Sequence, residues 1–336
     1  MYEAFYHFRA KPFQLNPDPS FFFASHGHKR AMSYLEYGLH QGEGFIVITG
    51  EVGAGKTTLV RNLLNKLDPA NVVAAQLVST QLDADDTLRM IAAAFGLSHD
   101  DFTKAVLLKK LEMFLHGLHT QGKRALLLVD EAQNLTARAV EELRMLSNFQ
   151  VGNKSLLQSF LLGQPEFRLT MQGPGMQQLR QRVIASYHLG PIDAHETRAY
   201  IEHRLHTVGW SGDPSLDDDA FAEIYQFSGG IPRRINTLCD RLFLMGYLEG
   251  WHAFSGAEVK AVIADLQQEL TAPDPGLHAV ETSSALNMQQ ALEAETRLAR
   301  IDERLNDVER SVSSALKLMR EILSLANVTQ LRKEDQ

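Results

Sequence analysis

The sequence predicts an α/β fold, a doubly wound parallel sheet followed by a small helical domain and a separate C-terminal helix. Short apolar runs alternate with helical patterns over the first 190 residues, as expected for parallel strands that are buried on both faces. Beyond about residue 190, only helical patterns follow. In addition, a glycine-rich loop lies between the first apolar run and a helical pattern, a strand–loop–helix arrangement typical of such sheets.

The alternating pattern assigns four strands and eight helices. We expect strands at Phe45–Thr49, Val72–Val78, Ala125–Val129 and Leu156–Leu162. We expect helices at Thr57–Leu67, Ala84–Phe95, Lys104–Gln121, Ala137–Phe149, His195–Val208, Asp217–Phe227, Pro232–Leu248 and Gly256–Leu270. The pattern therefore predicts an α/β domain over residues 1–190 and a helical domain over residues 191–270.

The C-terminal region has the pattern of a linker and a detached helix. Breaker residues predict a linker over residues 271–285, and a helix is predicted over residues 286–330. Apolar or small residues recur there at alternating spacings of three and four, at Leu298, Ile301, Leu305, Val308, Val312, Ala315, Met319, Ile322 and Ala326. This heptad seam favours a coiled coil that mediates oligomerisation or docks a partner helix. The alternative is a helix that packs back on its own domain.

The composition limits the classes of function. The 336 residues carry a formal net charge of −8, so the chain lacks a global basic footprint for nucleic acid, although a local patch is compatible with this charge. The single cysteine, Cys239, excludes an intrachain disulfide and is interpreted as a small buried apolar residue. No apolar run approaches the roughly 20 residues that span a bilayer. We therefore expect a cytoplasmic protein whose association with a membrane, if any, comes through a partner.

The glycine-rich loop has the spacing of a phosphate-binding loop. Residues 50–57 read G-E-V-G-A-G-K-T, which matches G-x4-G-K-T, and Thr58 follows. The glycines allow backbone N–H groups to point at phosphate oxygens, and the N-terminus of the next helix adds its dipole. Lys56 is expected to reach the β- and γ-phosphates of ATP, and Thr57 to offer its hydroxyl to Mg²⁺. The candidate nucleotide-binding residues are Gly50, Gly53, Ala54, Gly55, Lys56, Thr57 and Thr58.

A pair of carboxylates follows the third predicted strand. Asp130 and Glu131 come directly after the apolar run that begins at Ala125, about 74 residues after Lys56. Ligands bind at the carboxyl ends of the strands in a parallel sheet, so this pair is expected to face the same nucleotide. Asp130 would orient Mg²⁺ and Glu131 would polarise the attacking water. The sequence thus predicts a Mg²⁺-dependent ATPase.

Several motifs resemble one family. The opening that starts at Phe13, F-Q-L-N-P-D-P-S-F-F-F, and the motifs V-D-E-A-Q-N-L from Val129 and G-I-P-R-R-I-N from Gly230 are similar to those of AAA+ ATPases of the secretion-pathway protein A (ExeA) type. So are the motifs that begin at Leu162 and Leu179. The chain most resembles the ATPases associated with exosortase and exopolysaccharide gene clusters. The resemblance covers roughly residues 1–270 and implies a P-loop AAA+ fold with a helical lid.

This resemblance implies roles that spacing alone does not assign. Gln164, at the end of the fourth predicted strand, would be sensor 1 and would contact the γ-phosphate or its water, although a strand-end cap is the alternative. Arg182, or else Arg180, would be the arginine finger presented to a neighbouring subunit, although an ordinary surface charge is the alternative for each. Arg233 would be sensor 2 on the lid, with Arg234 a solvated charge. The stretch from Pro17 to Phe21 would line the adenine pocket, with the phenylalanines of residues 21–23 packing rather than stacking on the base.

Three functions remain open at this point. The resemblance favours an ATPase that energises or switches a cell-envelope secretion or exopolysaccharide assembly system. It implies a ring-type homo-oligomer and an inner-membrane partner that docks on the C-terminal helix. The second function is a DNA-associated ATPase of the transposition-helper type, which the acidic composition disfavours. The third is a non-hydrolysing coiled-coil scaffold, which intact Lys56, Asp130, Glu131 and Arg233 disfavour.

Overall fold

The computed structural model of the chain describes residues 1–271 apart from residues 17, 79–83 and 101. The described residues belong to one compact unit, Met1–Thr271. The predicted linker beyond Thr271 and the heptad helix over residues 286–330 lie outside the described residues. The sequence-based boundaries at residues 190 and 270 stay predictions.

Helices and strands alternate through the first two thirds of the unit. The strands are β1 (Phe45–Gly50), β2 (Val72–Val78), β3 (Arg124–Asp130), β4 (Gln150–Val151), β5 (Lys154–Ser155), β6 (Leu157–Gly163), β7 (Val183–Leu189), β8 (Ser215–Leu216) and β9 (Ala253–Phe254). The α-helices are α1 (Tyr2–Phe5), α2 (His26–Gln41), α3 (Lys56–Lys66), α4 (Ala84–Ala94), α5 (Lys104–Thr120), α6 (Ala137–Leu146), α7 (Pro165–Gln172), α8 (Gln177–Arg180), α9 (Ala194–Thr207), α10 (Asp218–Ser228), α11 (Pro232–Glu249) and α12 (Gly256–Thr271).

A five-stranded parallel sheet in the order β2-β3-β6-β1-β7 forms the centre of the α/β part. The four strands predicted from apolar runs are confirmed as β1, β2, β3 and β6. Strands β1 and β3 both pair with β6, with Thr49 opposite Gly163 and Val129 opposite Leu161. The carboxyl ends of these three neighbouring strands therefore meet at one edge, where the loops that follow them come together.

Alternate residues of the strands point into two apolar layers. Ile46 and Leu126 belong to a cluster that also holds residues of α2 and α3. Their neighbours Val47 and Leu127 belong to a second cluster with residues of α4, α5 and α6 on the opposite face. Because both faces are buried, the strand sequences are almost continuously apolar. Each fully buried Leu or Ile contributes about 1.5–3 kcal/mol, so the two layers fix the sheet firmly under the loops.

The helical part shares its core with the N-terminus of the chain. Residues of α9 to α12 form a third apolar cluster, and Tyr2, Tyr6 and Phe13 belong to it. The Phe13 ring lies 5.4 Å from the ring of Phe243 in α11. The N-terminal segment is thereby held against the helical part of the unit by aromatic packing.

The structure adds elements that the sequence patterns did not predict. Strand β7 was not expected, and neither were helices α2 and α7 or the short β4–β5 hairpin. The expectation that strands end near residue 190 is corrected by β8 and β9, which pair as two-residue strands. Helix α3 begins at Lys56, one residue before the predicted start. Strand β7 escaped prediction because it is an edge strand with exposed Ser186 and His188, so its sequence lacks a continuous apolar run.

Candidate nucleotide-binding site

The glycine-rich loop connects β1 to α3 in a conformation that only glycine adopts easily. Gly53 and Gly55 have φ angles of 83° and 96°, and Gly55 precedes the first residue of α3. Ala54 is buried between them, and its N–H donates to the carbonyl oxygen of Glu51 at 3.1 Å. The first N–H groups of a helix have no partner within it, so those of α3 are available at this loop to an anion.

Lys56 lies under the loop with its ammonium held by backbone carbonyls. The side chain is 6% exposed, and Nζ donates to the oxygens of Gly50 and Glu51 at 2.7 and 3.0 Å. Burial lowers the pKa of Lys56, whereas the charges of Glu131 and Asp130 act in the opposite direction. The loop thus places one cation where the phosphates of a bound nucleotide would lie.

Thr57 and Asp130 bring two hard oxygen donors together. The Thr57 hydroxyl donates to Asp130 Oδ2 at 2.9 Å, although the residues are 73 positions apart. Asp130 is buried at the end of β3, and its Oδ1 accepts the N–H of Glu131 at 3.0 Å. A hydroxyl and a carboxylate next to a phosphate-binding loop suit Mg²⁺, which prefers oxygen ligands and combines few protein groups with substrate phosphates. The predicted pair is therefore adjacent, as Mg²⁺ binding requires.

Glu131 and Gln164 also meet, and a residue that sequence reasoning did not single out joins them. Gln164 Nε2 donates to Glu131 Oε2 at 3.2 Å. Gln133 Nε2 donates to the same oxygen at 2.5 Å, and Gln133 Oε1 accepts the backbone N–H of Gln164 at 2.9 Å. The predicted sensor 1 residue is thus in contact with the predicted catalytic carboxylate at the ends of β3 and β6.

Arg233 lies on the N-terminal turn of α11, directly over the phosphate-binding loop. Its N–H donates to the carbonyl oxygen of Gly53 at 3.2 Å, and its side chain lines the cavity above the loop. Pro232 occupies the first position of the helix, where no N–H is needed. Arg234 is exposed and is not among the residues that line this cavity.

A cavity of about 360 Å³ lies between the loop, the N-terminal segment and the helical part. Its volume is within the range of small-molecule sites. Lys56, Thr57, Thr58, Glu131 and Arg233 line one end. The other end is lined by residues of the N-terminal segment and of α9 and α11, including Gln14, Asp18, Phe21, Phe22, Phe23, Tyr200, Arg204 and Asn236. Pro17, which was also expected here, lies outside the described residues.

The phenylalanine run takes part in packing around this cavity. Phe21 is buried in the core of the helical part. The Phe22 ring meets the ring of His28 edge-on at 5.9 Å, and the Phe23 ring meets that of Tyr200 at 5.8 Å. These contacts agree with the expectation that the run packs.

Arg204 fixes the N-terminal segment from α9 and was not found from the sequence. The residue is 6% exposed, and its guanidinium lies 4.7 Å from the centroid of the Phe21 ring. Its Nε donates to the oxygen of Pro12 at 2.7 Å and its Nη1 to the Tyr200 hydroxyl at 3.0 Å. No local motif could have revealed it, because Arg204 and Pro12 are 192 residues apart.

His28 supports the phosphate-binding loop from behind. Its Nδ1 is 2.7 Å from the Ser25 hydroxyl, which caps α2. Burial lowers the pKa of His28, and a hydrogen bond with the backbone of Ala54 and the charge of Glu196 partly oppose this. A Cβ atom at Gly55 would lie 2.7 Å from His28 Nε2. The glycine therefore provides the space in which the imidazole contacts the loop.

The two arginines proposed as fingers lie outside the cavity. Arg182 Nη1 donates to the Ser147 hydroxyl at 2.6 Å, and its Nη2 donates to Asn148 Oδ1. Arg180 Nη1 donates to the carbonyl oxygens of Met171 and Gly173 at 2.5 and 3.1 Å. Neither is brought to the P-loop of its own chain, so a role in hydrolysis requires a second subunit and stays a prediction.

Comparison with known proteins agrees with this geometry. Residues 39–171 match the AAA domain family. This part of the chain is an AAA domain. The General secretion pathway protein A of Aeromonas hydrophila is 38% identical over 253 residues, which are 75% of this chain and 46% of that relative. The chain thus spans about half the length of the relative it matches.

Solved structures of other proteins have the same fold over most of the described chain. The Aeropyrum pernix ORC2 protein with ADPNP and ADP superposes with a TM-score of 0.57 and 17% identity, over 79% of this chain and 74% of that one. Cdc6p of Pyrobaculum aerophilum gives a TM-score of 0.59 and 14% identity, over 78% and 74% of the two chains. The protein therefore has an AAA+ P-loop fold, with a parallel five-stranded sheet and a helical lid. The match of residues 39–171 to the AAA domain family implies nucleotide binding.

The described part of the chain lacks two features, a membrane-spanning helix and a group of three or more metal-ligating side chains. Among residues 1–271, with the gaps noted above, no helix is long and apolar enough to cross a membrane. The same residues contain no cluster of three or more His, Cys, Asp or Glu side chains that could hold a metal ion. Cys239 is buried, as expected, and burial raises the pKa of its thiol.

Proposed function

We propose that the protein binds ATP together with Mg²⁺ in the cavity above the P-loop and hydrolyses it to ADP and phosphate. The observation that carries this proposal is the meeting of Lys56, the Thr57–Asp130 pair and Glu131 at one end of a single cavity. A cation for the phosphates, oxygen donors for a metal and a carboxylate for water are the groups that phosphoryl transfer to water requires.

Each group has a distinct task in binding. The first N–H groups of α3 and the Lys56 ammonium bind the β- and γ-phosphates. Arg233 contacts the γ-phosphate from the helical lid, so that the presence of this phosphate affects the position of α11. Mg²⁺ held by Thr57 and Asp130 supplies neutralisation of phosphate charge.

Hydrolysis follows from the position of Glu131. A water held by the carboxylate of Glu131 and the amide of Gln164 attacks the γ-phosphorus. A new P–O bond forms while the bond from the γ-phosphorus to the bridging oxygen breaks, and that oxygen keeps the electron pair as part of ADP. The proton of the water passes to Glu131, a base within reach of the γ-phosphate site.

The wider role that we propose is to energise or switch a secretion or exopolysaccharide assembly system of the cell envelope. Its support is the 38% identity to a general secretion pathway protein and the motif resemblance to exosortase-associated ATPases. We further propose a cytoplasmic ring-type homo-oligomer in which Arg182 serves the neighbouring site. The heptad helix over residues 286–330 would dock an inner-membrane partner.

Steady-state ATP turnover of the purified protein over a concentration series tests this proposal. We expect turnover per subunit to rise with protein concentration and to be unchanged by duplex DNA at near-physiological salt. Lys56→Ala should abolish nucleotide binding, and Glu131→Gln should retain binding and lose turnover. Stimulation by DNA that falls with salt would favour a DNA-associated ATPase instead. Binding of MgATP without turnover would favour a scaffold.

A further inference from the structure

The amide of Gln133 bridges the end of β3 and the end of β6. It donates to Glu131 Oε2 and accepts from the N–H of Gln164, at 2.5 and 2.9 Å. Gln133 lies in a short 3₁₀ turn, Ala132–Asn134, directly after Glu131. Glu131 itself has φ 54° and ψ 41°, a left-handed conformation that is uncommon for a residue with a side chain. This backbone reversal allows the side chain of Gln133 to reach back to the carboxylate of Glu131, two residues earlier.

The orientation of the Gln133 amide is determined by its partners. A backbone N–H can only donate, so the group that faces Gln164 must be Oε1. The –NH₂ group must then face Glu131, where an ionised carboxylate can only accept. Glycine at position 163 leaves room for this arrangement, because a Cβ atom there would lie 3.3 Å from Gln133 Oε1 and 2.9 Å from Phe167 Cβ. A side chain of this length that ends in one acceptor and one donor satisfies both partners at once.

The bridge has a consequence for the carboxylate. Two amide groups, from Gln133 and Gln164, donate to the same oxygen of Glu131. They fix the plane of the carboxylate, and within the described residues Oε1 is the oxygen left for a water in the cavity that Glu131 lines. They also connect Glu131 to the end of β6. The distance between the Glu131 carboxylate and the Gln164 amide is thereby fixed.

We propose that Gln133 is a positioning residue for hydrolysis, which holds Glu131 in the orientation that activates water and has little part in nucleotide binding. This rests on the proposed ATPase function. A carboxylate that rotates freely spends less time aligned with water and γ-phosphate, and misplacement by about 1 Å can cost on the order of 10²-fold in rate. Loss of the bridge should therefore lower kcat and leave the affinity for nucleotide unchanged.

Gln133→Met tests the proposal, because methionine has a similar length and lacks both hydrogen-bonding groups. We expect kcat to fall at least tenfold while the Kd for a fluorescent ATP analogue and the Tm stay close to wild type. In Gln133→Glu, the introduced carboxyl repels Glu131 when ionised and can donate when protonated. The activity of this variant relative to wild type should rise as the pH is lowered from 8 to 6.

A double-mutant cycle separates positioning from a structural role. If Gln133 acts through Glu131, adding Gln133→Met to Glu131→Gln should cause no further loss in single-turnover rate. A kcat for Gln133→Met within twofold of wild type, or a full second loss in the double variant, would overturn the proposal. A wild-type protein that binds MgATP and shows no turnover at any concentration would overturn the ATPase function itself, which is a different result.

Discussion

The backbone N–H of Arg233 donates a hydrogen bond to the carbonyl oxygen of Gly53, so helix α11 starts in contact with the phosphate-binding loop. A Cβ atom at Gly53 would lie 2.3 Å from Cβ of Arg233, which shows how closely the two segments approach. Any change in the loop on nucleotide binding is therefore transmitted directly to the first turn of a helix that belongs to the lid.

The close approach predicts the effect of Gly53→Ala. The new methyl group must displace Arg233 and the start of α11, and the φ of 83° adds about 1–2 kcal/mol of backbone strain. We expect nucleotide affinity to fall at least tenfold. Gly122→Ala is the matched control, because Gly122 has φ 74° and a Cβ atom added there would have no neighbouring atom within 4 Å. Nucleotide titration and urea unfolding measure the affinity and the free energy of unfolding of both variants. Equal losses of affinity in the two variants would show that backbone strain alone lowers nucleotide binding.

Arg233 and Arg234 provide a second matched pair. Both are exposed on the first turn of α11, but only Arg233 lines the nucleotide cavity. Arg233→Ala should weaken ATP binding more than ADP binding, because the charge that it loses faces the γ-phosphate in the proposed complex. A loss of about 1.5–3 kcal/mol for ATP is expected for a hydrogen bond to a charged group. Calorimetric titration of both nucleotides checks this. An equal loss of ATP affinity in Arg234→Ala would show that Arg233 has no specific role at the γ-phosphate.

His28 makes the stability of the protein depend on pH. Burial lowers its pKa in the folded state, so below about pH 6.5, the ordinary value for histidine, the unfolded state binds more protons than the folded state. The contribution of a neutral His28 is fully present above pH 6.5 and decreases as the pH falls towards the folded-state pKa. His28→Gln should therefore show a smaller loss of unfolding free energy between pH 7.5 and 5.5 than wild type.

Urea unfolding at both pH values tests this, with His195→Gln as the control. His195 is exposed at the start of α9, so its replacement should leave the pH dependence as in wild type. His203 is also held at a lowered pKa, mainly by burial, and accounts for part of the pH dependence that stays in His28→Gln. An identical pH dependence in wild type and His28→Gln would show that the imidazole is not held neutral beside the loop.

The sequence allowed prediction of those parts of the fold and site whose signals are local. Strands β1, β3 and β6 are buried on both faces, so each is a nearly continuous apolar run. The P-loop residues are consecutive, and their spacing specifies their chemistry. Gln164 and Arg233 required the family resemblance, since nothing near them in sequence indicates that the end of β6 and the start of α11 lie beside the P-loop.

Other parts of the site depend on contacts between distant segments and could not be predicted in this way. Arg204 reaches Pro12 across 192 residues, and Gln133 meets the N–H of Gln164 across 31. The position of His28 behind Gly55 depends on how α2 packs on the sheet, and α2 itself was not predicted. Such residues acquire their partners only when the chain is folded, so a motif reading of one segment gives no signal for them.

The position of Arg182 leads to the strongest prediction about assembly, because its guanidinium does not reach the P-loop of its own chain. In its own chain its guanidinium bonds with Ser147 and Asn148 at the end of α6, away from the P-loop. If it completes the site of a neighbouring subunit, Arg182→Ala should reduce turnover by about 10³-fold or more, on the order of known arginine fingers, and leave nucleotide affinity intact. Mixing Arg182→Ala subunits with Lys56→Ala subunits should then restore part of the activity, because a Lys56→Ala subunit can supply Arg182 to an intact P-loop next to it. Arg180→Ala is the control in the same mixing series, and recovery with that variant alone would assign the finger to Arg180. The absence of recovery with either arginine variant would show that hydrolysis uses neither Arg180 nor Arg182 from a neighbouring subunit.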